Sequence, residues 1–96
     1  MIDGNVRDFI EKLSYEDHYV IYNKEKYFFN GCQAHLDSNG KITSYRLEVY
    51  NITNGKTVFS TSFPTINECV NNLENAHIWN GKSFWEVEKE MRWVDE

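Results

Sequence analysis

Two Asn-Gly dipeptides, Asn39-Gly40 and Asn54-Gly55, constrain this chain most. Asn-Gly suits the positive φ angles of a tight hairpin. Each sits between runs rich in β-branched and aromatic residues. The run from 42 to 51 alternates: Tyr45, Leu47 and Val49 face one way, and Ser44, Arg46, Glu48 and Tyr50 face the other. That is the pattern of a strand with one buried and one wet face. Residues 18 to 63 therefore read as a four-stranded antiparallel meander.

The first strand is expected at 18 to 23, and Asn23-Lys24-Glu25-Lys26 turns the chain into a second strand from about Tyr27 to Leu36. One set of that strand (Phe28, Asn30, Cys32, Ala34, Leu36) reads as the core face beyond Cys32. The other holds Tyr27, Phe29, Gly31, Gln33 and His35. A glycine within a strand marks a bulge or a close contact, and Gly31 is the candidate. The fourth strand, Thr57 to Phe63, is expected to put Phe59 and Phe63 inside, and Pro64 ends it.

Helices are expected on both sides of the meander. Residues 4 to 14 carry Val6, Phe9, Ile10 and Leu13 at helical spacing, with Asp3 as N-cap. Thr65 with Glu68 is a capping box that opens a second helix, whose apolar face is Ile66, Cys69, Val70, Leu73, Ala76 and His77. Asn80-Gly81 stops or redirects the chain. Ser83 with Glu86 is a second capping box, and a third helix runs from Phe84 towards Met91 or beyond, with Phe84, Val87, Met91 and Val94 as its narrow apolar face. Trp85 and Trp93 do not fit that face. Either they are exposed and bind something, or residues 91 to 95 leave the helix and run extended. The fold class is α+β: a four-stranded antiparallel meander with one N-terminal and two C-terminal helices, the helices mainly on one face of the sheet.

A length of 96 residues suits a single domain, 1–96, with one two-layer core. Aromatic residues make up 16 % of it, enough for a core without metal or disulfide, and no cofactor is expected. No stretch is long and apolar enough to span a bilayer. Cys32 and Cys69 are far apart in sequence and read as two buried thiols, not a disulfide framework. The start, Met1-Ile2-Asp3-Gly4-Asn5, has no basic segment followed by an apolar one. The cytoplasm, with reduced thiols, is the expected compartment.

Most catalytic constellations are missing from the sequence. Gly81-Lys82-Ser83 copies the tail of a phosphate-binding loop, but the position of its first glycine is Ala76, inside an expected helix. His18, His35 and His77 lack metal-ligand spacing, so no metal is expected, and His77 reads as a core-edge residue. His35, Arg46, Glu48 and Tyr50 can share the wet sheet face, which makes that face an alternative site for a small molecule or a minor enzyme. An acid–base pair would then be His35 with Glu48.

The net charge is −5. Residues 86 to 96 hold Glu86, Glu88, Glu90, Asp95 and Glu96 against Lys89 and Arg92, a net of −3. Acidic balance argues against nucleic acid as a direct partner and suits a basic protein surface. The expected protein-binding residues are Trp85, Glu86, Glu90 and Trp93, with tryptophan as apolar anchor. The chain is expected to be a monomer, or a homodimer formed through sheet edges. From the first helix (Val6-Arg7-Asp8-Phe9-Ile10) to the last (Phe84-Trp85-Glu86-Val87), the order of elements resembles small acidic phage- or plasmid-borne proteins, anti-CRISPR inhibitors among them. That resemblance implies a non-enzymatic interaction module, an inhibitor or accessory protein from a mobile element. It assigns no residue a role.

Overall fold

A computed structural model describes residues 6–14 and 16–94, with the side chain of Val6 excepted. The expected Asp3 cap, the Val6 side chain of the first apolar stripe, and Asp95 and Glu96 of the acidic end lie outside the described residues. The chain runs α1 (Val6–Lys12), β1 (His18–Tyr22), β2 (Glu25–Leu36), β3 (Ile42–Asn51), β4 (Lys56–Phe63), α2 (Ile66–Asn75) and α3 (Phe84–Val87). A 3-10 turn (Glu88–Glu90) and β5 (Arg92–Val94) follow. The strands form one antiparallel sheet in the order β4-β3-β2-β1-β5.

The four-strand meander is present, and its turns follow backbone chemistry. Tyr22 pairs with Glu25, so Asn23 and Lys24 form a two-residue turn with φ of 51° and 65°. Both angles are positive, the geometry whose twist matches a hairpin. Asp37 organises the next turn: its Oδ1 accepts from the N–H groups of Asn39 (2.8 Å) and Lys41 (2.9 Å). Asn51 does the same for the third. It is buried, its Oδ1 accepts from Thr53 and Asn54, and its Nδ2 donates to Glu25. Gly40 and Gly55 take φ of 79° and 77°, so a side chain at either would be strained.

At the C-terminal end one of the two sequence expectations holds, with residues 91 to 94 extended, but the helix before them is shorter than expected and a fifth strand is added. The third helix is one turn, Phe84–Val87, and the chain then runs extended to pair with β1 as a fifth strand. In a continued helix Trp93 would lie opposite Phe84, Val87 and Met91. In the strand, alternation turns Trp93 inward, while Arg92 and Val94 pair with Ile21 and Tyr19. Pairing also satisfies the free edge of β1.

The core lies between the helices and one sheet face. Phe9 is its aromatic centre. Its ring meets Phe29 (5.3 Å) and Trp93 (5.2 Å) edge-on and stacks on Phe84 (5.9 Å). Leu47 and Val49 are buried from β3, as are Cys69, Val70 and Leu73 from α2. Phe59 and Phe63 are half-buried and pack against them. The largest fully buried side chain is Trp79, 1 % exposed, which lies in the link between α2 and α3. Trp79-Asn80-Gly81-Lys82 is a tight turn with reciprocal backbone bonds of 3.2 and 3.0 Å, and it swings the indole against Phe29, Tyr22 and Tyr27.

A bulge divides β2. Asn30 pairs with Glu48 and Gln33 with Arg46, so Gly31 and Cys32 together oppose Leu47. The extra residue exchanges the faces of the strand. Before it, Phe29 is buried and Tyr27 faces Trp79, while Phe28 lies outside against Tyr19 and Tyr50. After it, Cys32 packs against the core. Gly31 is needed here because a Cβ would stand 2.4 Å from the carbonyl oxygen of Glu16. Its N–H donates to Asp17 Oδ1 (2.9 Å), and the N–H of Cys32 donates to the Leu13 carbonyl (3.0 Å). The α1–β1 link is thus bolted to the bulge.

The expected core face beyond Cys32 does not continue. Ala34 and Leu36 are exposed, as is every residue from Gln33 to Thr43. The β2–β3 hairpin outruns the helical layer, and the molecule is elongated, 43 × 27 × 27 Å.

Candidate functional site

The exposed end of the β2–β3 hairpin is a finger two strands wide. Near its tip Leu36 pairs with Ile42 across the strands, and they are 53 % and 48 % exposed. Such a pair, held on extended backbone with no helix over it, presents apolar surface to solvent. At the finger's base lies an open depression of about 290 Å³ lined by Gln33, Ala34, His35, Ser44, Arg46 and Ser62. Gln33, Arg46 and Ser62 form one row across three strands, and His35 pairs with Ser44 in the next. The lining offers hydrogen-bond donors and one fixed cation, with no carboxylate among them. Lys12 pairs with Asp8 at 3.4 Å on α1, and among the described residues Arg46 has no ion-pair partner.

Arg46, Glu48 and Tyr50 follow one another along the outer face of β3. Glu48 Oε1 accepts from the Tyr50 hydroxyl (2.7 Å) and Oε2 from Ser60 Oγ (3.2 Å). This bond to the carboxylate raises the Tyr50 phenol above its ordinary value, with desolvation adding to it. His35 stands apart. Its partner Ser44 is four residues from Glu48 on the same strand, about 13 Å at the rise of extended backbone. Proton transfer needs hydrogen-bond reach, so His35 and Glu48 are not an acid–base pair.

At the acidic end the four expected residues have different surroundings. Trp85 is 47 % exposed, and its indole N–H donates to Glu74 Oε2 (3.0 Å). Glu86 caps α3. Its Oε1 accepts from the Ser83 N–H (3.0 Å), and that bond lowers the carboxyl pKa. Glu90 is exposed in the 3-10 turn. Trp93 is drawn inward against Phe9, with the Lys12 ammonium 5.6 Å from its ring, so it is not an exposed anchor.

Trp93 donates its indole N–H to His18 Nδ1 (3.3 Å). An accepting Nδ1 places the proton of the neutral ring on Nε2, which is buried. Desolvation lowers the His18 pKa below 6.5 against the opposing pull of Glu16. Sequence reading passed over His18 as one of three scattered histidines, and its place at the start of a β-rich run was the available signal. His77, expected at the core edge, is exposed because α2 ends at Asn75.

Cys32 and Cys69, read separately from the sequence, come together under α2. Among the described residues no three of His, Cys, Asp and Glu are grouped to hold a metal ion. No described helix is long and apolar enough to cross a membrane. No protein-family model, curated protein or solved structure matches the chain.

Proposed function

We propose that this chain is a non-enzymatic interaction module that engages a partner protein through the β2–β3 finger. The single observation that carries this reading is the unbroken exposure from Gln33 to Thr43, with Leu36 and Ile42 paired across its strands. A hairpin exposed this far adds little burial to the domain's own core. Its apolar pair suits a socket on a partner, and Arg46 with its neighbouring donors suits an acidic group beside that socket. A photo-reactive amino acid at Ile42 should cross-link to one discrete partner in cells that express the protein. The same group at Lys56, on the next hairpin, should not. Equal cross-linking from both positions would count against the finger.

A second reading places the contact at the acidic end. The exposed ring of Trp85 lies beside Glu74, and Glu86 and Glu90 are also exposed. A basic partner surface fits this chemistry, as it would for an inhibitor or accessory protein from a mobile element. Cross-linking from Glu90 and not from Ile42 would favour it.

A further inference from the structure

Cys32 and Cys69 are distant in sequence and are both free thiols. Cys32 follows the bulge glycine and packs against the core while remaining half-buried. Cys69 is fully buried on the sheet-facing side of α2. Its Sγ donates to the Tyr45 carbonyl at 3.3 Å. Tyr45 pairs with Ala34, and Leu47 lies opposite the bulge that contains Cys32. This register puts Cys32 diagonally across from the carbonyl that Cys69 touches. Both cysteines therefore border the same stretch of β3, on the face that α2 covers. No other cysteine exists in the chain to compete.

We propose that Cys32 and Cys69 are a disulfide-forming pair, able to staple the β2 bulge to α2 when the protein meets a small-molecule disulfide such as oxidised glutathione. Cys32 reacts first because it is the more accessible. Its thiolate attacks one sulfur of the oxidant, forms a mixed disulfide and releases one small thiol. The Cys69 thiolate then attacks the Cys32 sulfur, closes the internal bond and expels the second small thiol. Two protein S–H groups give up two electrons and two protons, and one disulfide becomes two thiols, so the exchange balances.

Desolvation, followed by the charge of its Cys69 neighbour, pushes the Cys32 thiol up to about 11, and Cys69 is also raised. Few thiolates are therefore present at neutral pH, and the bond forms slowly. It is a staple, not a fast sensor. The closed loop contains the whole finger, all of β3 and β4 and the start of α2, so the crosslink restricts much of the unfolded chain.

The native protein, equilibrated with oxidised glutathione, is analysed by intact mass and by peptide mapping without reduction. The expected product is a monomer lighter by two hydrogens, with the Cys32 and Cys69 peptides linked. Its melting temperature should be raised, and dithiothreitol should reverse the shift. The Cys32→Ser chain, altered at the half-buried position, should form no internal bond under the same conditions. Two free thiols after equilibration, a stable glutathione adduct on either cysteine, or a bond only between chains would each overturn the proposal.

Discussion

The root and the finger of the β2–β3 hairpin are made from the same two strands and obey opposite rules. In the root, Phe29, Leu47 and Val49 are buried, Trp79 stacks on Phe29, and α1 is bolted to the bulge. In the finger, from Gln33 to Thr43, every residue is exposed, and Leu36 and Ile42 meet only across the ladder. The root holds the fold together. The finger depends on the root for its position and returns little burial to it. An apolar pair kept in that place is better explained by a partner than by the domain's own stability.

The largest test of the contrast is Trp79→Ala. Removing a fully buried indole should cost about 3–5 kcal/mol, a large share of the stability of a small domain. Urea unfolding followed by circular dichroism would show a midpoint shifted far down or no folded baseline. A loss below about 1 kcal/mol would mean that Trp79 does not anchor the root.

Gly31→Ala comes next. Its Cβ would press on the Glu16 carbonyl, so overpacking should cost about 1–3 kcal/mol. Thermal melts should show this, and amide exchange should quicken at Cys32, whose N–H bonds to Leu13. An unchanged melting temperature would show that the α1–β1 link is not fixed to the bulge.

Acid should weaken the root through His18. Its folded pKa lies below 6.5, so the unfolded chain binds a proton more readily. The stability associated with the neutral ring is present above 6.5 and is lost as pH falls from there towards the folded value. The imidazolium has a proton on Nδ1 and can no longer accept from Trp93. Urea midpoints should therefore hold above pH 6.5 and drop as pH falls below it, and His18→Gln should flatten that part of the profile. A profile identical in the variant would remove His18 from the account of acid sensitivity.

The sequence makes part of this contrast legible and hides the rest for physical reasons. Asn-Gly chemistry marks two of the three hairpin turns, and the alternation of Tyr45, Leu47 and Val49 marks the covered face of β3. Gly31 signals a bulge, but not which half of β2 would be left bare, because that depends on how far the helices reach. β5 has three residues, too few for a period of two to be read, so the misfit of Trp93 with the helical face leaves an exposed tryptophan and an extended run equally open. Trp79 lies outside any periodic element, so nothing local identifies it as core. The meeting of Cys32 with Cys69 depends on a register shift and on where α2 lands, both set by contacts distant in sequence.

The smallest expected change in stability carries the most direct test of the finger as the working surface. Leu36→Ser with Ile42→Ser alters only exposed positions and should move the unfolding free energy by no more than about 0.5 kcal/mol per site. Partner capture on immobilised protein is then compared among the native chain, this variant and Glu86→Lys with Glu90→Lys. The finger variant should stay folded and lose the partner that both other proteins retain. Full capture by the finger variant, with loss only in the Glu86 and Glu90 variant, would contradict the finger and move the working surface to the acidic end.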